Sequence, residues 1–153
     1  MKAFLLIFAL LFVETTETDL SDDKSKFEGS WKLVKYKYGS GQDLSEVPEF
    51  MSYVKNITKN HFSWCSYNPE DGKVIGTGGG TYRFDKNNYI EKTDFWYPTD
   101  SGIPGTETSF NYSFKGKQWR IEGYIKSLSL DPSSGEFNQI DSTYMVEVWQ
   151  QLN

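Results

Sequence analysis

From Phe27 to its end, the chain consists of short runs in which apolar and polar residues alternate, separated by turn-forming residues. The first run is FEGSWKLVKYKYG, 27–39. Side chains of a β-strand point alternately to the two faces of a sheet, so a period of two is typical of half-buried strands. The pattern predicts strands at 28–38, 53–58, 61–67, 73–84, 89–97, 110–115, 118–126 and 142–152.

The connections between these strands are mostly short. The segment DLSEVPEFM, 43–51, is the one predicted helix, and long loops are expected at 98–109 and 127–141. A meander of strands has two exposed edges unless it closes, and eight strands close into a barrel whose interior holds side chains and one small ligand. The sequence therefore predicts an all-β domain with a single antiparallel up-and-down barrel. A flat sandwich is the alternative, and the hairpin order favours the barrel.

The N-terminus has a different composition. After Lys2, the eleven residues Ala3–Val13 are all apolar. A membrane-spanning helix needs about 20 such residues, whereas this length is typical of the hydrophobic region of a signal peptide. We therefore expect a signal peptide at 1–18, a flexible leader at 19–26 and the barrel domain at 27–153. The protein would be secreted or periplasmic, without a membrane span.

The charge of the chain argues against nucleic-acid binding, and its cysteine content excludes an internal disulfide. The net charge is −5 and the sequence has no cluster of Lys and Arg, which argues against binding to nucleic acid. Cys65 is the only cysteine, so no disulfide can form within the chain. We expect a monomer that is stable through its hydrophobic core alone.

Gly29 and Trp31, in FEGSWKLVKY, form a G-x-W motif at the start of the first predicted strand. Together with the eight-strand meander, this motif resembles the lipocalins and fatty-acid-binding proteins, which form the calycin superfamily. Residues 61–92 and the ending VEVWQQL, 146–152, are similar to bacterial secreted lipocalin-like domains of uncharacterised function. The resemblance covers essentially all of 27–153 and implies a barrel that binds a small molecule inside.

Aromatic residues make up 17% of the chain, and many of them fall on the more apolar face of a predicted strand. Such residues can fill a core or line a cavity. Because Tyr and Trp carry polar groups that require partners when buried, their number favours a cavity for a small apolar or aromatic molecule. The predicted ligand-binding residues are Phe62, Trp64, Tyr82, Tyr89, Glu91, Phe95, Tyr97, Phe110, Tyr112, Trp119, Glu147 and Trp149.

The segment GTGGGT, 76–81, is not a nucleotide-binding motif, because it lacks the G-x-G-x-x-G spacing and no helix follows. Glycine within a strand usually marks a bulge or a close approach of two backbones. We expect Gly78 to Gly80 to bend the strand for barrel closure and to leave room beside Tyr82.

The sequence gives little support for catalysis. His61 is the only histidine, there is no G-x-S-x-G motif, and one His with one Cys cannot complete a zinc site. We therefore expect neither an enzyme, nor a metal, nor a cofactor. Two alternatives remain open: an interaction module with a filled core that acts through the loops at 98–109 and 127–141, and an enzyme that uses Glu91 and Glu147.

The last predicted strand also bears on the charge of the ligand. In fatty-acid-binding proteins this strand typically carries an Arg and a Tyr that bind the ligand carboxylate, whereas the corresponding positions here are Glu147 and Trp149. With Glu91, the predicted interior contains two carboxylates and no Lys or Arg. A buried charge needs a partner, so this interior favours a neutral or cationic ligand over an anion.

The signal peptide gives the first testable prediction. In the native host, the mature chain should begin between about residues 14 and 20, because signal peptidase cleaves shortly after the hydrophobic region. N-terminal sequencing of the purified protein measures this directly. An intact Met1 on protein from a soluble cytoplasmic fraction would contradict both the signal peptide and the expected localisation.

Overall fold

A computed structural model describes residues 25–39, 43–98, 105–130 and 137–153, of which 127–130 and 137–140 are described by their backbone alone. The predicted signal peptide, 1–18, lies outside the described residues. After a helical turn at 25–27, the strands are β1 (Gly29–Tyr38), β2 (Ser45–Glu46), β3 (Ser52–Ile57), β4 (His61–Tyr67), β5 (Val74–Asp85), β6 (Asn88–Tyr97), β7 (Glu107–Lys115), β8 (Gln118–Leu130) and β9 (Phe137–Gln151).

The strands form one antiparallel sheet that closes on itself. Its order is β2-β1-β3-β4-β5-β6-β7-β8-β9, and β1 also pairs with β9. In this closing pair, Trp31 lies opposite Gln151 and Tyr38 lies opposite Met145. Leaving aside the two-residue β2, eight strands complete the barrel, which confirms the predicted all-β meander.

The helix predicted at 43–51 is wrong. Within this segment, Ser45 and Glu46 form the short strand β2, which pairs with Lys35 and Tyr36 of β1, and residues 49–50 form a turn. Pro48 disfavours the helical conformation for the residue before it. Instead, the backbone N–H of Val47 donates a hydrogen bond to the carbonyl of Val34. The segment is extended because β1 offers it an unpaired edge.

The loop predicted at 127–141 is also shorter than expected. β8 and β9 continue to Leu130 and from Phe137, respectively, and pair along this whole length apart from one register shift between Ser127 and Leu128. The alternating sequence SLSL at 127–130 continues the period of two that defines a strand. The result is a hairpin that extends beyond the predicted strand ends.

Phe27 fills one end of the barrel, called here the Phe27 end. Its side chain is fully buried and contacts five other rings at centroid distances of 4.8–5.1 Å. These rings belong to Phe84, Tyr89, Tyr112, Phe114 and Trp119. The helical turn before β1 thus places an aromatic residue where the interior would otherwise be accessible to water.

Trp31 holds this end together. Its indole is 1% exposed and contacts Trp119 at 5.6 Å and Phe114 at 6.2 Å between ring centroids. Its Nε1 donates a hydrogen bond of 2.8 Å to the carbonyl oxygen of Phe27. The G-x-W tryptophan therefore connects the helical turn to the barrel core.

We predict that Trp31→Ala lowers the free energy of unfolding by about 3–5 kcal/mol, as expected for loss of a buried aromatic side chain. Trp31→Phe keeps an aromatic ring and loses the hydrogen bond to Phe27, so its loss should be clearly smaller. Urea denaturation of both variants measures the difference. A loss below about 1 kcal/mol for the Ala variant would contradict this role.

Candidate functional site

Two β-bulges determine which side chains enter the other end of the barrel. In β1, Leu33 pairs with Trp149 and Lys35 with Val148, so Val34 is the additional residue. An extra residue shifts the alternation of the following side chains by one. Trp31 and Leu33 therefore point inward before the bulge, whereas Tyr36 and Tyr38 point inward after it.

The second bulge has the same effect in β6. Gly79 pairs with Phe95 and Gly80 with Thr93, which leaves Asp94 as the additional residue. Before the bulge, Glu91 and Thr93 point inward. After it, Trp96 points inward, and its ring contacts Trp64 at a centroid distance of 4.8 Å.

These side chains line a cavity of about 420 Å³ inside the barrel, at what we call the cavity end. Aromatic side chains from β1, β3, β4, β6 and β7 contribute much of its surface. They are Tyr38, Tyr53, Trp64, Trp96 and Phe110. Ile125, Met145 and three threonines, Thr93, Thr108 and Thr143, complete the neutral part of the lining.

The glycines of β5 make room for the wall of this cavity. A Cβ atom on Gly78 would lie 2.9 Å from the indole of Trp64, so only glycine lets this ring lie close to the sheet. A Cβ atom on Gly80 would collide with the backbone carbonyl of Lys92, at the bulge. The bulge itself lies in β6, at Asp94 opposite Gly79 and Gly80, and the room left by Gly78 is taken by the Trp64 ring.

A buried ion pair lies at the inner end of the cavity. The Lys55 Nζ is 2.7 Å from Glu91 Oε1, and the two side chains are 4% and 11% exposed. The Tyr89 hydroxyl donates a second hydrogen bond, of 2.8 Å, to the same oxygen. Lys55 Nζ also lies 5.0–5.5 Å from the ring centroids of Phe62, Trp119 and Trp149, close enough for cation–π attraction.

Glu147 is the second carboxylate of the interior. Its Oε1 accepts a hydrogen bond of 2.8 Å from the Tyr38 hydroxyl, and its Oε2 accepts one of 3.0 Å from Trp149 Nε1. Burial raises the pKa of this carboxyl above its ordinary value, although the Lys55 ammonium and the Tyr38 hydrogen bond act in the opposite direction. The cost of removing the carboxylate from water therefore exceeds the stabilisation it receives.

The structure brings four of the twelve predicted residues to the cavity surface: Trp64, Glu91, Phe110 and Glu147. Six others lie inside the barrel but away from the cavity surface. Phe62, Tyr82, Tyr89, Trp119 and Trp149 belong to the buried core, and the partly buried Tyr112 packs against it. Their predicted orientation is correct, although they act as packing residues in this structure.

Phe95 and Tyr97 were predicted to point inward, and this is wrong. They are 50% and 55% exposed. The bulge at Asp94 reverses the alternation of β6, so both rings lie on the outer face while Trp96 takes the inward position. A register shift between Gly76 and Val74 has the same effect in β5, where Val74 is 51% exposed.

Lys55 is a further inward-facing residue that was not predicted, and the predicted interior without Lys or Arg is therefore also wrong. Lys55 shares a face of β3 with Tyr53 and Ile57, and this period of two was the signal that could have placed it inside. Tyr38 and Trp96 were missed because each follows a bulge. A bulge depends on the pairing of two strands and is not visible in either strand alone.

The part of the chain that the structure describes contains no group of three or more His, Cys, Asp or Glu side chains that could hold a metal ion. Over the same residues, no helix has the length and apolar character needed to cross a bilayer.

The fold is similar to that of two solved bacterial proteins. A lipocalin-like protein from Bacteroides uniformis shares 18% sequence identity and a TM-score of 0.52, over 83% of this chain and 99% of that one. An uncharacterized protein from Bacteroides eggerthii has 15% identity and a TM-score of 0.50, with 82% of this chain and 99% of that one covered. No family model and no curated protein matches the sequence. At these identities the similarity establishes a lipocalin-like fold.

Glu147 should make stability dependent on pH. An acid whose pKa is higher in the folded state stabilises the protein at low pH, and this stabilisation is lost as pH rises through the pKa of the folded state. We predict that the unfolding free energy of the wild type, relative to that of Glu147→Gln, falls as pH rises above about 4.3. The fall should amount to about 1.4 kcal/mol for each pH unit by which the pKa of Glu147 in the folded state exceeds that in the unfolded state. Urea denaturation at several pH values measures this difference. A difference that stays constant or grows with pH would contradict the assignment.

Proposed function

We propose that this lipocalin-like barrel is an exported, non-enzymatic protein that binds a small apolar or aromatic molecule in the cavity between Tyr53, Trp64 and Trp96. The observation that carries the proposal is the cavity volume of about 420 Å³. Ligand sites typically have volumes of roughly 300–1,000 Å³ and are lined by apolar and aromatic side chains with a few polar groups. The cavity meets each of these criteria.

Two other depressions are less suited to an apolar ligand. One, of about 470 Å³, lies on the outer face beside Tyr124 and Tyr144 and is lined mainly by polar residues. The other, of about 590 Å³, lies beside Ser25 at the Phe27 end. The cavity inside the barrel differs from both because it has buried aromatic and charged side chains that converge on one space.

The cavity also bears on the two alternatives. An interaction module with a filled core would leave no such space. An enzyme based on Glu91 and Glu147 would need carboxylates available for proton transfer. Glu91 is instead engaged by Lys55 and Tyr89, and each oxygen of Glu147 accepts a hydrogen bond. These contacts favour binding over catalysis.

Export of a monomeric protein is part of the same proposal. It is supported by the apolar run Ala3–Val13, which has the length of a signal-peptide hydrophobic region. A barrel with its own hydrophobic core can be stable as a monomer outside the cytoplasm without a disulfide.

A substitution that fills the cavity tests this proposal. Thr143 is partly buried and lines it, whereas the adjacent Ser142 is exposed. We predict that Thr143→Trp weakens binding of a neutral naphthalene probe, such as 2-(1-naphthyl)ethanol, by about tenfold or more, equivalent to about 1.4 kcal/mol, because the indole occupies the ligand space. Isothermal titration calorimetry measures the affinity.

Ser142→Trp is the matched control, because it adds the same side chain to the neighbouring, outward-facing position. It should bind the probe as the wild type does. Equal binding by Thr143→Trp would place the probe outside the barrel, and no binding to the wild type would contradict a cavity for aromatic molecules.

A further inference from the structure

The charges around the cavity do not cancel. Of the described side chains, three that are charged line it: Lys55, Glu91 and Glu147. Lys55 and Glu91 form a direct ion pair and neutralise each other. The carboxylate of Glu147 is therefore in excess, and among the described residues no second Lys or Arg lines the cavity.

The hydrogen bonds of Glu147 include none from a cation. Its two direct partners, the Tyr38 hydroxyl and the Trp149 indole N–H, are neutral donors. A carboxylate can accept about four hydrogen bonds, so further donors can bind to it. Because an isolated buried charge is unfavourable, a cation that enters the cavity would be attracted to the Glu147 carboxylate, whose direct partners are both neutral.

An anionic ligand lacks the corresponding partner. Within the part of the chain that the structure describes, Lys55 supplies the one ammonium that lines the cavity; its side chain is 4% exposed and paired with Glu91. It is also close to the rings of Phe62, Trp119 and Trp149. An anion that approached this ammonium would compete with Glu91 for its charge, and it would meet the repulsion of Glu147.

The aromatic side chains fit the same type of ligand. Tyr53 contacts Trp64 at 5.1 Å and Trp149 at 5.2 Å, and Trp64 contacts Trp96 at 4.8 Å, between centroids. The faces of such rings attract cations and also pack against apolar groups. On the basis of the proposed binding function, we propose that the ligand is a protonated amine on an aromatic or apolar body, with its ammonium group beside Glu147.

Three probes with the same aromatic body separate charge from shape. They are 2-(1-naphthyl)ethylamine, 2-(1-naphthyl)ethanol and 1-naphthaleneacetic acid, which at pH 7 carry charges of about +1, 0 and −1. Calorimetry with the full chain should give affinities in the order amine, alcohol, acid. We expect the amine to bind about tenfold more tightly than the alcohol, a difference of about 1.4 kcal/mol.

The variant Glu147→Gln removes the excess charge and keeps the shape of the side chain. The affinity ratio of amine to alcohol should fall close to one, and this ratio is the quantity compared between the wild type and the variant. Glu122→Gln is the matched control, because it removes a carboxylate from the outer face, where Glu122 contacts Tyr144 and Arg120. Its ratio should remain that of the wild type.

A pH series on the wild type tests the same proposal without a variant, in case Glu147→Gln does not fold. The titratable groups that act on Glu147 are Tyr38 from β1, Lys55 and Tyr53 from β3, and Glu91 and Tyr89 from β6. Alkyl ammonium groups titrate near 10, so between about pH 4 and 8 the amine stays charged. Its advantage over the alcohol should therefore increase with pH as Glu147 ionises.

The outcomes are distinguishable. If none of the three probes binds, the proposed binding function fails. If the alcohol binds and the amine binds no more tightly, or if Glu147→Gln keeps the preference for the amine, the binding function stands and the assignment of the ligand class is overturned. Tighter binding of the acid would likewise overturn it.

Discussion

The buried ion pair between Lys55 and Glu91 separates the two halves of the barrel interior. Toward the Phe27 end, Lys55 lies against the rings of Phe62, Trp119 and Trp149, which belong to the packed core. Toward the other end, Lys55 and Glu91 line the cavity. Removing one partner from such a pair typically costs about 3–5 kcal/mol, because the other charge is left buried alone. The pair therefore holds β3 and β6 together across the interior and limits the depth of the cavity.

The packed core at the Phe27 end stabilises the barrel and offsets the loss of packing at the cavity end. Phe27 contacts five rings, and Trp31 ties the helical turn to the core through both packing and a hydrogen bond. With one cysteine in the chain, no internal disulfide supplements this core. A small domain that leaves about 420 Å³ of its interior unfilled must bury apolar surface efficiently elsewhere. The dense aromatic cluster provides that burial.

The strand order and most inward-facing residues could be predicted from the sequence because both follow from a period of two within single strands. The orientations of Phe110, Trp119 and Glu147 are of this kind. The cavity residues Tyr38 and Trp96 could not be predicted in the same way, because each follows a bulge created by pairing with another strand. The error at 43–51 has a related cause, since β2 exists through its pairing with Lys35 and Tyr36 and has little strand preference of its own.

The residues around the cavity depart most clearly from the usual distribution of charged side chains. Charged side chains are rarely buried, yet Lys55, Glu91 and Glu147 all occur inside one small barrel. Lys55 and Glu91 compensate each other, so a structural explanation is sufficient for that pair. For Glu147, burial raises the pKa of the carboxyl, so the ionised side chain is disfavoured there despite its two hydrogen bonds. Natural proteins tolerate such a cost mainly at functional sites. The placement of Glu147, beside an open space lined with aromatic rings, is therefore the feature of this fold that most directly supports the proposed ligand.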